Sequence, residues 1–314
     1  MKGKDLLSIA DLTSEDVYWL ISETVDLKQD KRWSSLLDRK TLALVFEKPS
    51  LRTRVSFEAA MNQMGGRCIY LSPDEVGLGK REPVADIAKI LSRFVSAIAA
   101  RTFSHKTLET MAASSDIPVI NALSDAEHPC QALTDLVTIY EKKGTLAGLN
   151  LAYLGDGNNV AASLMLAATL VGMNFCIAGP KNHAMSDYIM ALAQDFAVGS
   201  GAKIIVTEQP EKALTGADVV YTDVWTSMGQ EAEREQRRLD FSDYQLNAER
   251  LKSARTDAIV MHPLPAHLGE EVTEDVLYGS QSVIFDQAEN RLHLAKTLLG
   301  AMLGGLDIPL SAYR

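Results

Sequence analysis

The chain is short of cysteine and of basic charge, and it has no long apolar run. Each scarcity removes a class of function. Cys68, Cys130 and Cys176 are the only 3 cysteines among 314 residues, far apart and in no Cys-x-x-Cys pair. That spacing fits neither a disulfide frame nor a cysteine zinc site, and a reducing cytoplasm is expected. Lys and Arg number 31 against 41 Asp and Glu, a net charge of −10. A nucleic-acid surface normally shows a basic excess, so no nucleic-acid partner is expected and any anion must be met by a local cluster. No stretch reaches the ~18 uninterrupted apolar residues of a membrane span. The opening MKGKDLLSIADLTSED turns acidic too soon for a signal peptide. No membrane partner and a cytoplasmic location are the expectation.

What is present suits a folded chain with a large core, at 46% hydrophobic and 23% charged residues. The length fits two domains of about 150 residues each. Short apolar runs at 41–47, 67–73, 95–102 and 117–124 alternate with helical patterns, such as Phe57, Ala60, Met61 and Met64 before Gly65-Gly66. A helix is expected at 132–143, ended by Gly144. A second set of runs follows at 149–156, 174–180, 203–208, 218–225, 258–264 and 282–287, then a last helix stopped by Gly304-Gly305. Near-continuous apolar runs bounded by turns predict parallel strands covered on both faces. The fold class is therefore α/β, two domains each with a central parallel sheet flanked by helices. The polar stretch 227–244 reads as a long charged loop or surface helix.

Two strand-to-helix steps carry candidate chemistry. In FEKPSLRTRVSFE (46–58), Ser50 stands where a helix N-cap belongs, ahead of Arg52, Thr53 and Arg54. Helix-end amides, a hydroxyl and planar guanidinium forks suit a phosphate-like anion. The same residues also suit a capped surface helix with solvated arginines, and the stretch is not a P-loop. The second step, Leu154-Gly155-Asp156-Gly157-Asn158-Asn159-Val160, has half a dinucleotide fingerprint. Val160 replaces its third glycine, and the next strand ends in CIAGPK without a ribose-binding acid. A nicotinamide-dependent oxidoreductase is therefore disfavoured. Other polar groups end strands or stand in loops nearby: Arg101, His128-Pro129-Cys130-Gln131, Asp223 to Gly229, and His262-Pro263-Leu264-Pro265. Singly each could be structural, but their clustering at C-terminal strand ends favours a cleft site.

SLRTRVSFE, RTFSH, HPCQALTDL, GDGNN, DVWTSMGQE, HPLPAHLGEE and AENRLH occur in that order. In order and spacing the chain resembles the ornithine carbamoyltransferases, over about residues 3–306. The resemblance implies a carbamoyl phosphate domain at 1–134 plus the returning helix 290–314, an ornithine domain at 135–289, and an active site in the cleft between them. It implies that Ser50, Leu51, Arg52, Thr53 and Arg101 hold the phosphate, with Arg291 returning to it. His128, Arg101 and Thr53 would face the carbamoyl oxygen, Gln131 the carbamoyl nitrogen, and the Leu264 carbonyl would accept. Asn159, Asp223, Ser227 and Met228 would hold L-ornithine. Arg101, His128 and Asp223 are the implied catalytic residues, with no metal, no cofactor and a homotrimer or multiple of trimers.

Three positions depart from the family pattern. Leu51 replaces a commoner threonine. Gly77 stands where relatives place a Gln or His that reaches a neighbouring subunit, a role that Lys80 or Arg81 could take. Pro263 replaces the cysteine of the usual His-Cys-Leu-Pro. His-Pro-Leu-Pro is the aspartate-enzyme form, but the arginine those enzymes carry after it is absent here; aspartate, lysine, putrescine or an N-acylornithine are the alternative acceptors within the class. An inactive carbamoyl-phosphate-binding regulator is the remaining alternative. The expectation is an ornithine activity that survives, weakened or retuned, with less inhibition by thiol reagents than in relatives.

Overall fold

The computed structural model describes residues 1–29, 34–227, 229, 231–304 and 306. The chain divides into two units, Met1–Val137 with the C-terminal stretch from Glu289, and Thr138–Ala288.

In the first unit, α1 (Ser14–Gln29) precedes β1 (Thr41–Phe46), α2 (Leu51–Gln63), β2 (Arg67–Leu71), α3 (Pro73–Val76), α4 (Val84–Phe94), β3 (Ala97–Arg101), α5 (His105–Ala113) and β4 (Val119–Leu123). The strands pair in parallel in the order β2-β1-β3-β4. β3 is buried along its whole length and β1 over all but its first residue, whereas β2 at the edge is mixed. That contrast explains why TLALVF and AIAAR read as unbroken apolar runs: helices cover both faces. The other edge is partly covered, since Leu6 bridges to Ile120 beside β4.

Helix α6 (Pro129–Lys143) leads into the second unit. It starts at Pro129 rather than at 132. A proline is favoured at the first helical position, where its missing N–H is no loss, so the apparent HPCQ loop is the opening of a helix. There follow β5 (Asn150–Leu154), α7 (Asn159–Leu170), β6 (Asn174–Ala178), α8 (Asp187–Ser200), β7 (Ile204–Thr207), α9 (Pro210–Leu214), β8 (Val219–Thr222), α10 (Arg234–Asp240), α11 (Ala248–Leu251), β9 (Ile259–Met261) and α12 (Glu274–Leu277). The parallel order is β7-β6-β5-β8-β9. Its core includes Leu154, Val220, Trp225, Phe241 and Val260.

The strand expected at 282–287 does not form. Ser282 makes one bridge to Val260, and α13 (Ile284–Leu303) then begins. Ile284 is buried and Phe285 exposed, and with no turn signal after the short apolar run the helix-forming stretch behind it takes over. Gly304, at φ 84, ends α13; Gly305 lies outside the described residues. Within the charged stretch, residues 231–244 fold as α10 between two short 3-10 turns, and Arg237 is buried rather than solvated; 228 and 230 lie outside the described residues.

In both sheets the chain reverses its direction of strand addition beside the first strand, between β1 and β3 and between β5 and β8. Open α/β sheets bind ligands beyond the carboxyl ends of strands at such switch points. Phe46 pairs with Arg101 at the first, and Leu154 with Thr222 at the second.

Candidate active site

Ser50 is the N-cap of α2, in extended backbone, and its Oγ accepts from Thr53 N at 3.3 Å. The first-turn N–H groups therefore point out of the helix end. Leu51 is 75% exposed, so its side chain adds nothing to that end. Thr53 is buried, and its Oγ1 accepts from Ser50 Oγ at 3.0 Å and from Arg291 Nη2 at 2.9 Å. Arg54 turns away, pairing with Glu58 at 2.9 Å and stacking over Tyr70.

Arg101 ends β3, where the register with β4 shifts between Ala100 and Arg101. Such an irregularity re-aims a strand-end side chain. Its guanidinium is buried, and Nε has no hydrogen-bond partner among the described residues. Burial, with Arg291 and Arg52 nearby, lowers its pKa to about 10. His128, buried just before α6, is held well below the usual histidine range by burial and by Arg291, Arg101 and Arg52. Its imidazole is neutral at pH 7 and presents one N–H. Gln131 is oriented from both ends: its Nε2 donates to Asp135 at 2.8 Å, and its Oε1 accepts from Arg291 Nη1. Arg291 thus ties α2 to α6 within this unit. Ser50, Thr53, Arg101, His128, Gln131 and Arg291, with Arg52 beside them, form one polar group rich in donors.

The second unit carries its own group. The tight turn after β5 requires glycine: a Cβ on Gly157 would lie 2.5 Å from Met185 N, and one on Gly179 would lie 2.3 Å from Gly155 O. Asn158 caps α7, accepting from Val160 and Ala161 N, and its Nδ2 donates to Asp223 Oδ2 at 3.0 Å. Asp223 is buried and also accepts from Val224 N at 2.8 Å. Burial raises its pKa, opposed in part by those hydrogen bonds. Asn159 and Ser227 are half-buried on the same two strand-end segments, and Met228 lies outside the described residues. Beyond β9, Leu264 N donates to His262 Nδ1 at 2.9 Å, so Nε2 carries the hydrogen and faces Glu271 Oε1 at 3.1 Å. Leu264 stands at φ 57, uncommon for a branched residue. Gly77 also stands in the left-handed region, at φ 55, and Lys80 and Arg81 beyond it are exposed.

Sequence reading missed Asn158 as the partner of Asp223, Asp135 behind Gln131, and the buried pair Arg237–Asp156. Arg237 donates to the Trp225 carbonyl and to Asp156, and lies 3.3 Å from His183 Nδ1. It therefore ties the segment after β8 to the turn after β5. Its signal, one arginine within a dense charged run, is invisible without knowing which face is buried. Arg237→Ala leaves a buried carboxylate without its counter-charge and is expected to destabilise the fold by about 3–5 kcal/mol. Urea unfolding would read this, and a change below about 1 kcal/mol would refute it.

Family models match both halves of the chain. The carbamoyl-P binding domain of aspartate/ornithine carbamoyltransferases matches residues 4–141, and the Asp/Orn binding domain matches 147–302. The chain is 50% identical over 306 residues to an ornithine carbamoyltransferase of Anoxybacillus flavithermus, covering 96% of this chain and 98% of that one. It is 48% identical over 312 residues to the anabolic ornithine carbamoyltransferase of Pyrococcus furiosus, covering 98% of both. A solved structure of the Pyrococcus furiosus ornithine carbamoyltransferase superposes with a TM-score of 0.94 at 46% identity, covering 98% of this chain and 99% of that one. With its motifs, both domain matches and near full-length relatives in agreement, the chain belongs to the aspartate/ornithine carbamoyltransferase family, in its ornithine branch.

Proposed function

We propose that this chain transfers the carbamoyl group of carbamoyl phosphate to the side-chain amine of L-ornithine, giving L-citrulline and phosphate, as a step of arginine biosynthesis. The observation that carries this reading is the donor set at the first switch point. A capped helix end, three guanidiniums close enough for Arg101 to feel the other two, and a neutral imidazole share one site.

The chemistry matches those donors. The amine nitrogen bonds to the carbonyl carbon, negative charge builds on the carbonyl oxygen, and the bond to the phosphate oxygen then breaks. Arg101, His128 and Thr53 stabilise the first charge, while the helix end with Arg52, Arg101 and Arg291 stabilises the second. Fixed donors aimed at developing charge commonly contribute more to such catalysis than any other single effect. Gln131 presents its oxygen to the carbamoyl nitrogen, Asp223 orients the acceptor amine, and Asn159 and Ser227 hold its amino-acid end. The proton lost by the amine leaves with the departing phosphate.

We further read the chain as a cytoplasmic homotrimer or multiple of trimers. No helix among the described residues is long and apolar enough to cross a membrane. Leu51 and Val55, one turn apart on α2, and Ile69 on the edge strand β2 leave apolar surface exposed beside the cradle. Light scattering behind size exclusion should give three chain masses or a multiple, and a monomer at micromolar concentration would rule the assembly out.

Citrulline formation with ornithine tests the reaction, with aspartate, lysine, putrescine and N-acetylornithine run in parallel. Turnover confined to ornithine supports the assignment, and turnover with another amine moves it. Pro263 removes the family's thiol near the amine, and the 3 cysteines that remain are poorly reactive. Burial pushes Cys130 and Cys68 up to about 12 and Cys176 up to about 11. At pH 8, Ellman's reagent is expected to leave activity intact over an hour. Rapid inactivation, traced to one of the three by mass spectrometry, would contradict this.

A further inference from the structure

We propose that His267, Glu270 and Glu271 form a binding site for a divalent cation of the zinc class, beyond β9 in the second unit. Such binding goes beyond the carbamoyl transfer and does not depend on it. One ligand atom from each residue lies within 4.8 Å of the other two. His267 Nδ1 is 4.0 Å from Glu270 Oε2 and 4.0 Å from Glu271 Oε2. All three atoms are shielded from solvent, and none has a hydrogen-bond partner among the described residues. Glu271 is fully buried and Glu270 is 8% exposed. Buried polar atoms are normally satisfied, so three orphans converging on one point mark a place for a ligand.

The surrounding bonds hold the carboxylates in a liganding pose. Glu271 Oε1 accepts from His262 Nε2 at 3.1 Å and from His267 N at 2.6 Å, which leaves Oε2 facing the imidazole. Glu270 Oε1 accepts from Arg234 Nη2 at 2.7 Å, with Arg238 at 3.7 Å, and its Oε2 turns inward. Outer donors that fix carboxylate orientation are a regular feature of metal sites. The three residues share a short turn, closed by Glu270 N to His267 O at 2.9 Å, with Gly269 at φ 83.

One imidazole with two carboxylates favours zinc or cobalt over magnesium or calcium, which take oxygen ligands. Ligands on a common zinc stand about 3.4 Å apart, so side-chain rotations of roughly half an ångström close the site. The two arginines on Glu270 offset part of the negative charge, and binding is therefore modest and reversible.

The test is titration of the full-length, chelator-treated protein with Co²⁺, followed by its visible ligand-field absorption and by calorimetry, with Zn²⁺ as competitor. One Co²⁺ per chain is expected, displaced by Zn²⁺, with affinity about tenfold or more weaker in His267→Ala and in Glu270→Gln. Melting temperature and carbamoyl phosphate affinity, measured on the same preparations, show that the variants are folded. Absence of a ligand-field band, equal affinity in folded variants, or a thiolate charge-transfer band from cysteine ligation would each overturn the proposal.

Discussion

Arg101→Met is expected to lower kcat/KM for carbamoyl phosphate by about 10³-fold while raising the stability of the protein. The two effects have one cause. Arg101 is a buried cation with Arg52 and Arg291 nearby, and its Nε lacks a partner among the described residues. The fold holds its pKa at about 10, below the ordinary 12.5, so the charged form is disfavoured relative to the unfolded chain. An arginine keeps its charge across the working pH range, so that penalty is in force throughout it. Replacing Arg101 with a neutral side chain of similar length removes the penalty, worth on the order of 1–3 kcal/mol. In the proposed mechanism carbamoyl phosphate supplies the negative charge that makes the same guanidinium favourable, and the variant would lose that interaction together with its donor to the carbonyl oxygen. Steady-state kinetics and thermal melting on one preparation test both halves. A fall in melting temperature would mean that Arg101 holds the fold together, and unchanged kcat/KM would remove it from the site.

Asp223→Asn is the counterpart on the acceptor side. It keeps the shape and removes the charge that the proposed mechanism uses to orient the amine, and kcat/KM for ornithine should fall roughly 10²–10³-fold. Carbamoyl phosphate affinity should not change. Burial raises the pKa of this carboxyl, so its ionised form costs stability above the folded pKa, and that cost fades as pH falls through it. The asparagine removes the cost but turns its amide toward one of two donors, Val224 N or Asn158 Nδ2. These changes offset, and melting at pH 8 should move by no more than a few degrees. A large loss of carbamoyl phosphate affinity would show that the substitution disturbs more than the acceptor group.

Arg101 and Asp223 are buried charges that the free fold tolerates poorly, and local inconsistency of that kind gathers at functional sites. The sequence shows the residue types but not the inconsistency. Arg101 closing SAIAART could as well have paired with an acid, and only its burial among like charges distinguishes the two cases. Pro263 was fully visible in sequence, yet what it leaves behind needed coordinates: a His262 ring fixed by Leu264 N and Glu271.

By itself the sequence determined everything that depends on neighbours along the chain. The alternation of apolar runs and helical periods marked most strands, Ser50 marked the start of α2, and the glycines marked the turn after β5, because caps and turns are set within a few residues. It failed at 282–287 and at the start of α6, where local propensities for strand, loop and helix nearly balance and packing decides. The tertiary structure alone decided which strands lie side by side, and hence that Phe46 stands against Arg101 and Leu154 against Thr222 at the two switch points. It also decided that Arg291, 160 positions beyond Gln131, orients it, and that Arg237 turns inward to Asp156. Each of these pairings joins segments far apart in the chain, and the burial that selects them exists only once the sheets have formed.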